Sequence, residues 1–568
     1  MNFPNQSIDV TVDLREPSSQ SIKVSIRWKP NLYNESVLLP AWAPGSYIIR
    51  DYVQNVHSLQ FSQSNKIINS LRNKLNNWKV ELDSLEEVSL EYIVQANKLT
   101  VRNCYLDPDF ASLCLPAAIM LVENYRNVPH VLNILKPANW NVYLPLECDK
   151  RYITDSYDQL VDTPVHATDT KSKEFKVNGF THKILLVGKI PISLPGSLLS
   201  DLTSICEAAC LLMQTSPPSQ SLYLFVILLL EKGYGGLEHD NASVLHYSWR
   251  SFSKTNGYRK FMQLIGHEYL HQWNVRRLRP VEYIVYDYSS PVMSDSLWFA
   301  EGVTSYYDLG LTLVAGLNDT KTFLKDLSEE FSTLFTTQGR FIHSLADSSR
   351  EAWVKLYRST PSDVDTQVSY YKLGAAVAFC LEVRLREKNS SLGCLLRSLW
   401  SKNKKYSQGY SRIDIINLIK NIDEETAQEL NDWLDKPGEL PLQSIAKLIG
   451  LAFSPADPDV LDIGLTLEES QGNVRIIRVV PGSSAQKAGL VLGDELISIA
   501  GFRLRKSGDL RDLLPPDKNA SVIYCRQGRL AEANLEPSRE ATSKWEFSID
   551  PNSSCDVINL RNKWLEII

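Results

Sequence analysis

The chain has 568 residues, enough for about three or four domains, and its 43% hydrophobic and 22% charged side chains are typical of a globular protein. This composition excludes a chain dominated by disorder. A formal net charge of -6, without a long run of lysine or arginine, excludes the electrostatic pattern of a nucleic-acid-binding surface.

Cysteine usage and the apolar runs bear on the cellular compartment. The nine cysteines are scattered and odd in number, and no pair has the spacing of a zinc knuckle, so we expect reduced thiols. The N-terminus lacks a basic start followed by an apolar core, which predicts no secretory signal. The longest apolar run, LYLFVILLL at 222–230, is about half as long as a membrane-spanning helix and predicts a buried strand. We therefore expect a cytoplasmic protein without membrane or nucleic-acid partners.

Residues 1–167 carry strand signals. Apolar and polar residues alternate in SIKVSIRW (21–28), and β-branched and aromatic residues are frequent in VSLEYIVQA (88–96). Between them, LPAWAPGSYIIRDY (39–52) has two prolines and a glycine among aromatic residues, which predicts a stiff loop followed by a strand with a scaffold role. We expect an N-terminal β-sandwich-like domain.

Longer helical patterns follow over residues 168–445, for example in FMQLIGHEYLHQWNVRRL, and predict a mainly helical domain. After DKPGELP, short strands punctuated by glycine resume and predict a separate small domain over residues 446–542. Residues 543–568 are weakly amphipathic, and we expect this tail to pack on the rest. The predicted fold is a multidomain α+β protein.

The stretch GHEYLHQWNVRRLRP contains two histidines four residues apart. At about 100° per residue, His267 and His271 lie one turn apart on the same side of a helix, so both imidazoles can reach one point. This pattern predicts a zinc site; the alternative is a pair of core histidines satisfied by hydrogen bonds. Arg276 and Arg277 are expected near the helix C-terminus, where positive charge is favourable.

A catalytic zinc site needs a third protein ligand and an open position for water. Glu301 is the candidate, because Trp298, Phe299 and Val303 predict burial around it, and an unpaired carboxylate is costly in such a place. Asp295 is the alternative ligand, although it also fits a helix cap.

Asp308 lies two helical turns after Glu301, on the same face of the helix. From there it could orient a ligating histidine; the alternative is an ordinary surface aspartate.

Four motifs taken together, GHEYLHQWNVRRLRP, LWFAEGVTSYYD, GYGGLEH and LPAWAPGSYIIRDY, resemble the PDZ-bearing glycyl aminopeptidases, a family of gluzincin zinc peptidases. The resemblance covers nearly the whole chain. It implies a thermolysin-like catalytic domain over residues 168–445, preceded by the β-rich domain and followed by a PDZ domain.

The resemblance also implies roles for individual residues. One zinc ion per chain would be held by His267, His271 and Glu301, and Glu268 would act as the general base. A carboxylate one residue after a ligand is well placed to take a proton from a metal-activated water.

A tyrosine and a second glutamate complete the implied site. Tyr371 would donate a hydrogen bond to the oxyanion, with Tyr370 as its rival. Glu238 would bind the free N-terminus of the substrate, and a solvated turn glutamate is the alternative. The role of His239 stays open.

Within the small domain, Ile463, Gly464 and Leu465 match the loop with which PDZ domains bind the carboxylate of a C-terminal peptide ligand. Asp462 stands where many such loops have glycine, and its charge opposes a carboxylate. A structural or regulatory role is therefore the alternative to peptide binding.

The resulting hypothesis is a zinc aminopeptidase that removes N-terminal glycine, with alanine as a second candidate, from peptides with a free N-terminus. Two alternatives remain open, a zinc endopeptidase and a non-enzymatic PDZ scaffold with a structural zinc site. The preference for glycine comes from the family resemblance.

Overall fold

The computed structural model describes residues 7–146, 151–219, 221–403, 408–456, 460–515, 518–536, 538–540 and 544–566. Its N-terminal part consists mainly of strands. In chain order these elements are β1 (Ile8–Asp13), β2 (Ser21–Trp28), β3 (Asn34–Leu38), β4 (Val56–Gln63), β5 (Lys66–Ile68), β6 (Ser70–Lys74), β7 (Asn77–Glu81), β8 (Val88–Gln95), β9 (Cys104–Leu106), β10 (Phe110–Leu113), β11 (Leu121–Val122), β12 (His130–Leu135), β13 (Asn141–Tyr143), β14 (Tyr152–Thr154), helix α1 (Tyr157–Val161) and β15 (Val165–Thr168).

These strands form three sheets with the orders β14-β12-β1-β2-β8-β4-β5, β13-β15-β10-β9 and β11-β3-β7-β6. The alternation seen in SIKVSIRW matches the burial in β2, where Ile22, Val24, Ile26 and Trp28 are buried and the residues between them are not. One face of the strand therefore packs into the core, as period-2 patterning requires. The predicted β-rich N-terminal domain is confirmed.

A further sheet, in the order β16-β17-β18-β20-β19, begins the next part of the chain. Its central strand pairs in parallel with both neighbours and is buried almost throughout, which explains the continuous apolar run at 222–230. β19 lies antiparallel at the edge of this sheet. The strands are β16 (Lys173–Val177), β17 (Phe180–Val187), β18 (Tyr223–Leu230), β19 (Tyr234–Glu238) and β20 (Ala242–Ser248).

The helices that pack on this sheet and on one another make up most of the remaining main body. A close contact fixes the crossing of α4 and α7, because a Cβ atom at Gly302 would lie only 2.6 Å from the Cα atom of Gly374. The helices are α2 (Leu198–Met213), α3 (Gly257–Leu270), α4 (Val303–Val314), α5 (Thr320–Phe335), α6 (Leu345–Arg350), α7 (Lys372–Glu387), α8 (Leu392–Lys402), α9 (Arg412–Lys420), α10 (Glu424–Asp435) and α11 (Leu442–Leu448).

The C-terminal part contains a small module with an apolar core of its own, which runs from Ile463 to Leu535. Its strands follow the order β23-β24-β25-β27-β28, with β26 against β25 and with β22 paired to β29. The elements from β21 onward are β21 (Leu451–Pro455), β22 (Val460–Asp462), β23 (Leu465–Ser470), β24 (Asn473–Val479), α12 (Ser484–Lys487), β25 (Glu495–Ile499), β26 (Phe502–Arg503), α13 (Asp509–Leu513), β27 (Ala520–Arg526), β28 (Arg529–Leu535), β29 (Ser538–Glu540), β30 (Trp545–Ile549) and α14 (Cys555–Leu565).

The segments on either side of the small module belong to the main body. β21 pairs antiparallel with β30, and Phe453 and Phe547 stack at 4.2 Å inside the main apolar core. Trp564 is fully buried and donates a hydrogen bond to Tyr306 Oη at 2.9 Å. The C-terminal residues therefore pack on the rest, as expected, whereas residues 451–455 contribute to the main core and not to that of the module.

Among the described residues, no helix is long and apolar enough to cross a membrane.

Candidate active site

The two histidines of the HEYLH pattern lie at the end of α3, His267 in its last turn and His271 at its C-cap position. Their rings lie 4.6 Å apart, and the Nε2 atoms of His267 and His271 face Glu301 Oε2 at 3.5 and 3.3 Å. One ligand atom from each of the three residues lies within 4.8 Å of the others. The structure thus brings together the three side chains predicted as metal ligands, in a donor set that suits zinc.

Glu301 projects from a π-helical turn, Trp298–Gly302, that leads into α4. Asn274 holds this turn, since its side-chain amide donates to the carbonyl oxygens of Phe299 and Ala300, each at 3.0 Å. π-helical turns interrupt α-helices most often at functional sites. Asp295, the alternative ligand, lies elsewhere and pairs with Arg350 at 3.3 Å.

The other ring nitrogen of each histidine is also engaged. His267 Nδ1 lies 3.0 Å from Asp308 Oδ2, and His271 Nδ1 lies 3.0 Å from the carbonyl oxygen of Asn274. With protons on both Nδ1 atoms, the Nε2 lone pairs point toward Glu301, which is the arrangement that metal-binding histidines use. Asp308 therefore has the contact expected of an orienting residue.

The charges of this group favour a cation. Burial alone would lower the pKa of His267, but its contacts with Asp308 and Glu301 outweigh burial and raise that pKa well above its ordinary value. Burial would raise the pKa of Glu301, but the two histidines hold it well below the usual range. The carboxylates thus stabilise positive charge at the point where the Nε2 atoms converge.

Glu268 lies beside this group and is only 5% exposed. Its Oε2 atom has no hydrogen-bond partner among the described residues, and burial raises its pKa to about 7. A carboxylate with such a pKa can take and return a proton near neutral pH. Gly236 of β19 packs directly on it, since a Cβ atom there would lie 2.1 Å from Glu268 Oε1.

Glu238 stands two residues further along the same strand. It is 4% exposed, and its Oε1 atom has no hydrogen-bond partner within the described chain. The backbone of Gly45 covers the carboxylate, because a Cβ atom at that position would lie 2.5 Å from Glu238 Oε1. A buried carboxylate oxygen without a protein partner is stabilised by a cationic or donor ligand. His239 turns to a separate contact, 3.2 Å from Asp162 Oδ1.

The loop 39–52 enters the site from the N-terminal domain. Residues 45–51 form no strand, contrary to the prediction, because the loop bonds to another segment: Ala41 N–H donates to the carbonyl of Tyr288 at 2.7 Å. Tyr47 Oη reaches Glu301 Oε1 at 3.4 Å. The loop is therefore more than the scaffold that its composition suggested.

Tyr371 lies at the start of α7, which the contact between Gly302 and Gly374 holds beside the Glu301 turn. Its ring stacks on that of His267 with centroids 6.3 Å apart, and its hydroxyl lies 3.0 Å from Tyr357 Oη. Burial raises the pKa of Tyr371 well above its ordinary value, so the phenol keeps its proton and can donate. Its rival Tyr370 is completely buried and packs against Tyr47 instead.

A cavity of about 490 Å³ opens onto these groups. Its wall includes Glu238, Glu268, Tyr371 and two residues that sequence reasoning did not single out, Arg102 and Tyr357. Arg102 comes from the loop between β8 and β9. No motif marked it, since its place in the site depends on the packing of one domain on another.

Arg276 and Arg277, which were predicted near a helix C-terminus, lie beyond the end of α3. α3 ends at Leu270, and Arg276 is buried, where it donates to Asp162 at 2.6 Å and to Asp240 at 2.9 Å. Because Asp162 belongs to the N-terminal domain and Asp240 follows β19, this arginine ties both to the histidine-bearing segment.

In the small module, the loop predicted to bind a carboxylate is already in contact with one. Asp462 Oδ1 accepts hydrogen bonds from the backbone N–H groups of Ile463 at 2.8 Å and Gly464 at 3.0 Å. Leu465 pairs with Val479 in the sheet. The side chain of Asp462 thus occupies two of the donors that a peptide carboxylate would use.

Comparison with known proteins gives an independent view of this arrangement. A family model described as M61 glycyl aminopeptidase matches residues 260–377, and one for the peptidase M61 N-terminal domain matches residues 9–169. A solved structure of an aminopeptidase N family protein from Idiomarina loihiensis is similar with a TM-score of 0.91 and 25% identity, covering 98% of this chain and 100% of that one.

An M1 zinc metallopeptidase from Deinococcus radiodurans is similar with a TM-score of 0.48 and 12% identity, covering 77% of this chain and 94% of that one. No curated protein matches the chain.

Proposed function

The chain belongs to the M61 glycyl aminopeptidase family and is a metallo-aminopeptidase, and we propose that it is a zinc enzyme that removes N-terminal glycine, and alanine more slowly, from peptides. The observation that carries this proposal is the buried, unpartnered carboxylate of Glu238 beside the group formed by His267, His271 and Glu301. The ammonium group of a substrate would give this carboxylate its missing partner. The order of preference for glycine and alanine rests on the family.

We propose one zinc ion per chain, held by the Nε2 atoms of His267 and His271 and by the carboxylate of Glu301. When bound, zinc would lower the pKa of a water molecule to about 7 and polarise the substrate carbonyl. Glu268, with its free Oε2 atom, accepts a proton from the attacking water and returns it to the nitrogen of the leaving amine.

Two side chains position the substrate for this reaction. Glu238 binds the free ammonium and thereby aligns the first peptide bond with Glu268, which supplies catalysis through orientation. The hydroxyl of Tyr371 donates to the carbonyl oxygen on which negative charge develops. Tyr357 Oη, 3.0 Å away, holds that hydroxyl in place.

The two alternatives fit the site less well. An endopeptidase has no use for a buried carboxylate without a partner at the end of the substrate cleft, and a structural zinc site has no use for Glu268. Comparing the hydrolysis of Gly-Phe amide with that of its N-acetylated form distinguishes an aminopeptidase from an endopeptidase. We expect at least about 100-fold slower cleavage of the N-acetylated peptide. Equal rates would refute the role of Glu238.

The second alternative is tested with Glu268→Gln. We expect this variant to keep its zinc, measured by mass spectrometry, and to lose about 10²–10⁴-fold in kcat. Turnover close to that of the wild type would show that Glu268 is not the base. Glu282→Gln, a change on a residue outside the cavity wall, serves as the control.

We also propose a division of the chain into an N-terminal domain over 1–167, a thermolysin-like peptidase domain that includes residues 168–456 and 544–566, and a PDZ-type module between them. The separate apolar core of the module supports this division. The bonds from Ile463 and Gly464 to Asp462 favour a structural role of the module over capture of a C-terminal peptide.

A further inference from the structure

Arg102 is a cation in the wall of the active-site cavity that the proposed reaction does not use. Its backbone is held on both sides, since its N–H donates to Thr100 Oγ1 at 3.2 Å and its carbonyl accepts from Tyr52 Oη at 2.8 Å. One guanidinium nitrogen, Nη2, donates to the carbonyl oxygen of Gly236 at 3.0 Å. The side chain is thus anchored against the strand that also carries Glu238.

No carboxylate forms an ion pair with the guanidinium of Arg102 among the described residues, and the carboxylates that interact with it electrostatically, those of Glu238 and Glu268, belong to the site itself. Its Nε atom is buried without a hydrogen-bond acceptor. Arg276, a fully buried arginine near the site, has two carboxylates in contact with it. Arg102 is half-buried on the cavity wall, and a guanidinium with a buried, unsatisfied nitrogen can be stabilised there by an anionic ligand.

The positions of the two charges along β19 indicate which anion fits. Arg102 bonds at Gly236 and the carboxylate that we assign to the substrate ammonium belongs to Glu238, two residues further on. Two residues of strand span about 7 Å, which is also about the length of an extended dipeptide from its amine to its carboxylate. The strand positions that hold Arg102 and carry Glu238 are therefore about one extended dipeptide apart.

We propose that Arg102 binds the C-terminal carboxylate of very short peptides, and that dipeptides beginning with glycine are the preferred substrate class. This inference rests on the proposed aminopeptidase function and adds a specificity-determining residue to it. An arginine can hold a carboxylate through two parallel hydrogen bonds, and a hydrogen bond to a charged group contributes about 1.5–3 kcal/mol.

The test compares Gly-Phe with Gly-Phe amide, which differ only in the terminal carboxylate, and Gly-Phe-Gly-Gly as a longer peptide. For the wild-type zinc enzyme we expect kcat/KM to be about 10–100-fold higher for the free dipeptide than for the amide. Arg102→Gln should remove this preference by lowering kcat/KM about 10–100-fold more for the free dipeptide than for the amide. Arg102→Lys should keep part of it.

Arg50→Gln is the matched control, because Arg50 also comes from the N-terminal domain but bonds to Ser46 Oγ and does not line the cavity. It should leave the preference intact. An equal loss for dipeptide and amide in Arg102→Gln would mean that Arg102 only supports the structure, and a wild-type enzyme that cleaves both substrates equally would overturn the proposal without any variant. Failure of the proposed function itself would show differently, as no cleavage of the amide or equal cleavage of N-acetylated peptides.

Discussion

Replacing Gly236 with alanine would put a methyl group into space that the Glu268 carboxylate fills. The new Cβ atom would lie 2.1 Å from Oε1 and 2.2 Å from Cδ of Glu268, whereas ordinary contacts begin near 3.4 Å. The backbone of Gly236 is held by its pairing with Leu245 in the sheet, so the side chain of Glu268 has to move. The required displacement of the carboxyl carbon is about 1.2 Å.

A displacement of this size is large for a group that transfers a proton. A misplacement of about 1 Å can cost about 100-fold in rate, equivalent to about 2.7 kcal/mol of activation free energy. We therefore expect Gly236→Ala to lower kcat for glycine p-nitroanilide by about 100-fold or more. Its zinc content should stay the same, because the substitution touches none of the three predicted ligands.

The assay pairs steady-state kinetics with metal analysis of the same preparation. Gly196→Ala is the control, since a Cβ atom at Gly196 meets no other atom within 4 Å, and its activity should be unchanged. If Gly236→Ala retained kcat within about threefold of the wild type, the placement of Glu268 would not limit the reaction and its assignment as the base would be refuted. A loss of zinc would show that the strand acts on the ligands instead.

Three further predictions follow from other contacts. Asp308→Asn weakens the bond that orients His267, so the zinc dissociation constant, measured against a competing chelator, should rise about 10–100-fold; an unchanged constant would contradict the orienting role. Arg478 of the small module contacts Asp365 of the main body at 2.6 and 3.0 Å. Arg478→Gln leaves Asp365 without this partner and should lower the free energy of unfolding by about 3 kcal/mol. Arg475 is exposed, and Arg475→Gln should have little effect. Burial lowers the pKa of His182 to about 4, so as the pH falls below 6.5 the unfolded chain binds a proton at this residue before the folded chain does. The contribution of His182 to the free energy of unfolding is therefore complete above pH 6.5 and is lost progressively toward pH 4, by up to about 3 kcal/mol. Urea unfolding at several pH values should show a weaker pH dependence for His182→Gln.

Local sequence patterns were sufficient to predict that His267, His271 and Glu301 lie together. His267 and His271 are brought together by helical spacing alone, and the apolar residues around Glu301 predicted a buried carboxylate. The π-helical turn that aims Glu301 was not predictable, because it depends on hydrogen bonds from Asn274, which lies on a different segment.

The parts of the site that come from the N-terminal domain were missed for a related reason. Arg102, Gly45 and Tyr47 precede the histidines by more than 150 residues, and nothing in their local sequence indicates that one domain packs on another at that point. The prediction of a strand in 39–52 failed because the loop bonds to Tyr288 and not to a neighbouring strand. The glycines between short strands likewise predicted a domain boundary at 446. Such a local pattern could not predict that β21 pairs with β30, about 90 residues later.

The pairing of β21 with β30 gives the small module an unusual kind of attachment. Pro455 lies opposite Trp545, so the chain leaves the main body and returns to it on adjacent strands, about 5 Å apart. The module is therefore an insertion at the tip of a hairpin. A short turn could replace it without rerouting the chain, and a foreign domain whose ends lie close together could be grafted in its place, with the strands on either side still joined to each other.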